Sequence, residues 1–163
     1  SDVIILGAGG AARSAAFMCA LNKANEVYLL NRTFEKAENI SNDINNFLKR
    51  KCVFPFKIND HSKLPNKKYL VIQATNVGLF PDVDNVVIDD ESFYEKVHTA
   101  IDLIYKPKET MFLKLVKKHG GKTFNGLKML LYQGIIAYEL WNHVSVSEEI
   151  ANCVLDELNQ KNV

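Results

Sequence analysis

The sequence predicts a doubly wound α/β domain, and three observations carry that reading. Short β-branched runs alternate with helix-length segments, the first run opens directly into a glycine-rich turn, and no repeat, low-complexity tract or flexible linker interrupts the alternation. With 163 residues, 20 Lys plus Arg against 19 Asp plus Glu, and 47% apolar residues, the chain has the composition of one globular domain and not of a disordered or collagen-like one. Right-handed crossovers between such units build an open, mostly parallel sheet with helices on both faces, expected here with about six strands in the order 3-2-1-4-5-6.

Taken in order, Val3-Ile4-Ile5-Leu6 is a continuous apolar run, the pattern of a parallel strand covered on both faces. Ala11 to Leu21 is small and apolar without Gly or Pro, which suits a helix packed tightly on a sheet. A second strand follows at Val27-Tyr28-Leu29-Leu30, and Phe34, Ala37, Ile40, Ile44, Phe47 and Leu48 then recur at spacings of three and four, an amphipathic stripe. Val53-Phe54-Pro55-Phe56, Tyr69-Leu70-Val71-Ile72 and Ala100 to Ile104 read as further strands, with a short last one at Lys122-Thr123-Phe124. Helices are expected at Glu109 to His119, Leu127 to Trp141 and Ser147 to Leu158.

A formal net charge of +1 gives no electrostatic footprint for nucleic acid or an anionic membrane, so small neutral or modestly anionic ligands remain. Cys19, Cys52 and Cys153 are scattered among apolar neighbours, as reduced core thiols of a cytoplasmic protein would be. His61, His98, His119 and His143 stand far apart and read as surface residues, and no metal-binding spacing occurs. The start at Ser1-Asp2, directly ahead of an apolar run, reads as a cut at the edge of a strand.

Gly7-Ala8-Gly9-Gly10-Ala11-Ala12 fits G-x-G-x-x-[G/A], and it lies between a predicted strand and a predicted helix, as a dinucleotide site requires. The first glycine makes the tight turn, the second admits a pyrophosphate, and Ala12 permits close helix packing. Free N–H groups at the helix start complete an anion site. At the end of the second strand, where NAD-binding domains carry an acid for the ribose, this chain has Asn31-Arg32-Thr33 and then Lys36. A carboxylate would repel a 2′-phosphate, whereas an Arg, a Lys and a hydroxyl would hold it, so these residues favour NADP. Thr33 also reads as the N-cap of the second helix.

After the fourth strand, Gln73-Ala74-Thr75-Asn76-Val77-Gly78-Leu79 lies where such a sheet opens its ligand crevice. These short polar side chains suit either a ribose contact or an ordinary turn. Asp102 and Tyr105 fall at the end of the fifth strand, on the same edge. The segment from Gly126 to Trp141 is apolar on nearly every face yet too short to span a bilayer, so it should be buried all round. Its own sheet can cover only one side. Met129 and Gln133 share a face there, and a buried amide at Gln133 would need a partner, either within the core or on a polyhydroxylated substrate.

Together with Asp102-Leu103-Ile104-Tyr105-Lys106-Pro107-Lys108-Glu109-Thr110 and Asn125-Gly126-Leu127-Lys128-Met129-Leu130-Leu131-Tyr132-Gln133, these blocks resemble the shikimate dehydrogenase family, specifically its C-terminal NADP-binding domain. The resemblance implies that Gly7, Ala8, Gly9, Gly10 and Ala11 hold the pyrophosphate and that Asn31, Arg32, Thr33 and Lys36 hold the adenosine ribose and 2′-phosphate. It places Thr75, Asn76 and Val77 along the cofactor ribose and Leu103 and the Gly126 backbone near the nicotinamide, with Met129 as a further cofactor-binding residue. Tyr105 and Gln133 would touch the substrate. Gln73, Leu79 and Asn76 depart from the family's common residues. The family reduces 3-dehydroshikimate with NADPH, reversibly, in aromatic amino-acid synthesis. Its general acid/base Lys and partnering Asp belong to an N-terminal substrate domain whose motifs are absent from these residues. The expectation is therefore a single NADP-binding unit spanning 1–163, inactive alone and without catalytic residues or metal. Its helices at about 126–160 would pack partly against that other domain. A non-catalytic dinucleotide sensor and a quinate-preferring relative are the alternatives, and the oligomeric state, a homodimer included, stays open.

Overall fold

In a computed structural model, which describes residues 1–161, six parallel strands form one sheet in the order β3-β2-β1-β4-β5-β6. The strands are β1 (Val3–Leu6), β2 (Val27–Asn31), β3 (Val53–Lys57), β4 (Tyr69–Gln73), β5 (Val97–Asp102) and β6 (Lys122–Phe124). Both the strand number and the order match the sequence expectation. Helices α1 (Gly10–Leu21), α2 (Phe34–Leu48), α3 (Glu91–Tyr94), α4 (Met111–Lys118), α5 (Leu127–Asn142) and α6 (Glu148–Lys161) complete the chain, with a 3₁₀ segment at Ile58–Lys63.

Alternation along each strand divides the core into two layers. Val3, Ile5, Val27 and Leu29 face α1 and α2, where Ala12, Ala16 and Ala20 let α1 lie close on the sheet. Ile4, Leu6, Tyr28, Leu30 and Val71 face the opposite side, packed with Phe93, Tyr94, Phe112 and Val116 from α3 and α4. Successive strand residues point to opposite faces, so unbroken apolar strands can exist only where both faces are covered.

Several expected boundaries shift for identifiable reasons. The fifth strand begins earlier and ends at Asp102, because the Asp102 carboxylate accepts from the Ile104 N–H (3.0 Å) and turns the chain off the ladder. Leu103, Ile104 and Tyr105 therefore belong to the loop beyond the strand. Phe47 in the α2 stripe is 71% exposed, lying beside Phe17 with ring centroids 5.4 Å apart. Of the three thiols only Cys52 is in the core, with Cys19 half-buried and Cys153 exposed. His98 and His143 are on the surface, but His61 and His119 are largely covered by their edge-on and stacked contacts with Phe93 and Tyr94.

Helix α5 is the segment expected to find cover on one side from its own sheet and on the rest from outside these residues. Only Leu127 and Leu131 are buried, and its main packing partner is α6. Met129, Tyr132, Ile136, Tyr138, Leu140 and Trp141 are exposed, as is Gln133, so the amide is not a core group. Among the described residues no helix is long and apolar enough to cross a membrane, and no group of three or more His, Cys, Asp or Glu stands together.

Candidate functional site

The carboxyl ends of β1, β2, β3 and β4 bound a cleft of about 680 Å³. Its floor is the turn after β1. Gly7 has φ +115°, a conformation that L side chains rarely adopt, and its N–H donates to the Leu30 carbonyl (2.8 Å). A Cβ on Gly7 would press to 2.9 Å from the Ala74 carbonyl oxygen, so glycine lets β1 and the β4 loop converge. Gly9 and Gly10 face open space, with nothing within 4 Å of where a Cβ would stand. Gly9 is the N-cap of α1 and offers no side-chain cap. The first N–H groups of that helix lack acceptors within it and lie beside an open volume, a geometry that suits a pyrophosphate.

The next wall comes from β2 and the start of α2. Asn31, Arg32, Thr33 and Lys36 all line the cleft. Asn31 Nδ2 donates to the Thr33 carbonyl (2.8 Å), which fixes the turn and leaves Oδ1 available. Thr33 occupies the N-cap position, yet its hydroxyl makes no capping bond, contrary to the capping role expected of it. The three arginines divide clearly. Arg13 pairs with Asp43 (2.9 Å) and Arg50 donates to the Ala20 carbonyl (2.7 Å), both tying α1 to its neighbours. Among the described residues Arg32 has no such partner.

The third wall is the loop after β4, whose polar residues build a turn and also line the cleft. Buried Gln73 donates to the Val77 carbonyl (2.9 Å) and accepts from the Thr75 N–H (2.6 Å) and the Thr75 hydroxyl (2.7 Å). The Thr75 hydroxyl in turn accepts from the Val77 N–H (3.1 Å). Gln73 and Thr75 thus build the turn, while Thr75, Asn76 and Val77 present its surface to the cleft. Lys57, Ile58 and Asn59, at the end of β3, and Val86 and Val87 complete the lining. The sequence reading missed these five, because the β3 end carries no motif and the loop preceding α3 has no periodic pattern.

Ala74, Thr75 and Asn76 also border a second cavity of about 610 Å³, shared with Ala11, Leu79, Phe80, Leu103, Ile104, Tyr105 and Lys106. The two volumes meet over the β4 loop. The first is polar and cationic; the second is walled by Leu79, Phe80, Leu103 and Ile104 with Tyr105 and Lys106 at its rim. Asp102 holds that rim in place. It is fully buried, accepts from Thr110 Oγ1 (2.6 Å) and from the Ile104 N–H, and burial pushes its carboxyl pKa up. Asn125 Nδ2 donates to the Lys108 carbonyl (3.0 Å), and the Gly126 N–H donates to the Ile104 carbonyl (3.1 Å).

The remaining predicted site residues lie elsewhere. Gly126 is buried, its N–H is already used, and a Cβ there would overlap the Leu103 carbonyl, so this glycine closes one loop onto another. Met129 lines a different cavity with Leu113 and Leu155, and Gln133 lies on the exposed face of α5. The structure brings ten of the fifteen proposed cofactor residues to the first cleft and two more, Ala11 and Leu103, to the second cavity. Gly10 sits at the helix start between them.

No protein-family model matches the chain. It is 40% identical over 155 residues to the shikimate dehydrogenase (NADP(+)) of Desulforamulus reducens, covering 94% of this chain and 53% of that protein. Among solved structures, a shikimate dehydrogenase in complex with NADP+ is 34% identical with a TM-score of 0.77, covering 96% of this chain and 54% of the other. The shikimate 5-dehydrogenase of Listeria monocytogenes, in complex with shikimate and NAD, is 30% identical with a TM-score of 0.81, covering 94% and 55%. The chain spans about half the length of the relatives it matches. In sequence and in fold, over nearly its whole described length, the chain is homologous to part of the shikimate dehydrogenases.

Proposed function

We propose that this chain is the NADP-binding domain of a shikimate dehydrogenase. One observation carries the choice of cofactor: the cleft at the ends of β1 to β4 is lined by Arg32, Lys36 and Lys57 and by no carboxylate. An acid at the end of β2 would accept from a free ribose 2′-hydroxyl, whereas clustered cations favour a phosphate there. The open space over Gly9 and Gly10 fits the pyrophosphate. NADPH, when bound, supplies the hydride for reduction of 3-dehydroshikimate, and shikimate returns it in the reverse direction.

The residues of this chain bind and orient. The α1 start and the Arg32 and Lys36 side chains hold the two anionic parts of the cofactor. Leu79, Phe80, Leu103 and Ile104 give the neighbouring cavity an apolar wall for the reacting end of the cofactor. Tyr105, which lines the same cavity, would meet a substrate hydroxyl. Tyr105 and Lys106 are the titratable side chains of that wall, and both are exposed. We infer that the general acid/base pair stands outside these residues, in a substrate domain that also covers the apolar face of α5. The exposed Ile136, Leu140 and Trp141 support this, since a contiguous apolar patch marks an interaction surface.

Calorimetric titration tests the cofactor assignment. NADP+ should bind more tightly than NAD+, and equal or tighter NAD+ binding would contradict it. NADP+-dependent oxidation of shikimate by the 163-residue chain alone should be undetectable, and turnover would overturn the placement of the acid/base pair.

A further inference from the structure

The end of β3 carries a cation that no motif announces. Lys57 is the last residue of the strand, and its Cα stands opposite that of Asn31 in the parallel ladder between β2 and β3. It therefore faces the cleft from the strand next to the one that delivers Asn31 and Arg32. Its side chain is exposed, and among the described residues it makes no ion pair or hydrogen bond. The carboxylate nearest in sequence is engaged elsewhere, since Lys63 pairs with Asp60 (2.8 Å).

We propose that Lys57 is a specificity-determining residue that reads the 2′-phosphate from the β3 side, opposite Arg32 and Lys36. The proposal deepens the NADP reading above and rests on it. A phosphate monoester carries about −1.5 to −2 charges at neutral pH, so two cations from one short segment would balance it only from one flank. The third cation, on a separate strand, closes the other flank. Asn59 extends the same wall with an amide. Because strand β3 is fixed by its ladder to β2, Lys57 starts from an anchored backbone position, and less freedom is lost when its ammonium meets the phosphate.

The test is titration of the purified protein and its Lys57→Gln, Arg32→Gln and Lys63→Gln variants with NADP+ and with NAD+, with thermal melts to confirm folding. Lys57→Gln should weaken NADP+ binding by about tenfold, the loss of one charge-assisted contact, while leaving NAD+ binding unchanged. Lys63→Gln should change neither. If Lys57→Gln binds NADP+ as the parent does while Arg32→Gln is weakened, the Lys57 assignment fails and the cofactor reading stands. Equal weakening of NADP+ and NAD+ in Lys57→Gln would also overturn it, by placing the lysine on a feature both cofactors share. If the parent does not prefer NADP+ and Arg32→Gln loses nothing, the cofactor reading itself has failed.

Discussion

The strands of the sheet and helix α5 are both built from strongly apolar sequence, but they meet opposite fates. In β1 and β2 every apolar side chain from Val3 to Leu6 and from Val27 to Leu30 is buried, because α1 and α2 cover one face and α3 and α4 the other. In α5 the main packing partner is α6, and Leu140 and Trp141 remain 68% and 80% exposed. The contrast shows that a run of hydrophobic residues records a need for cover and not the identity of what supplies it. The sheet meets that need within the chain, and the α5–α6 hairpin leaves it unmet.

Matched substitutions should separate the two regions most strongly. Leu29→Ala, in a fully buried position, should destabilise the fold by about 2–5 kcal/mol, read as a shift in the urea midpoint. A loss near zero would mean that the sheet core is not closed as described. Asp102→Ala should cost about 1–3 kcal/mol, because it strands the Ile104 N–H and the Thr110 hydroxyl in a buried place. Asp102→Asn should recover much of that loss, since an amide can still accept from the Ile104 N–H.

Asp102 also predicts a pH dependence of definite sign. Burial raises its folded pKa, so the folded chain binds the proton more tightly than the unfolded chain. Its stabilising contribution is fully present below the unfolded carboxyl pKa of about 3.9 and is lost as pH rises through the folded value. Asp102→Asn should remove that part of the slope of urea midpoint against pH, and an unchanged slope would show that the carboxylate does not titrate this way.

The smallest effect is expected in the hairpin, where Leu140→Ala should change stability by no more than about 0.5 kcal/mol. Trp141 is the sole tryptophan, so its emission reports the same surface directly. It should be that of a water-exposed indole in this chain and should shift to the blue when a covering domain is present. A large loss from Leu140→Ala, or a buried indole in the isolated chain, would erase the difference between the regions.

What the sequence reveals follows the same division. Strand order, the Gly7 turn and the Asn31 to Lys36 wall were legible because local pattern and local backbone demands coincide there. The end of β5 was misplaced by two residues because Leu103 and Ile104 continue the apolar run, and only the Asp102 side-chain bond shows that the chain turns away. Gln73 and Thr75 could not be sorted between turn and ligand until their mutual hydrogen bonds were visible. Lys57 was missed because its place in the cleft depends on the β2–β3 register and not on neighbouring residues. For α5, apolar composition on every face implied a need for cover from outside these residues, but composition does not name what supplies it.

The central claim is that the cleft between β1, β2, β3 and the β4 loop is built for a 2′-phosphorylated dinucleotide, and that the hairpin is built for something else. Amide chemical shifts followed during titration with 2′,5′-ADP, which carries the distinguishing phosphate without the nicotinamide, test this most directly. Perturbations are predicted at Gly9 to Ala11, Asn31 to Lys36 and Lys57 to Asn59, with residues 127–161 unmoved. Perturbations concentrated in α5 and α6, or none at all at saturating ligand, would contradict the account.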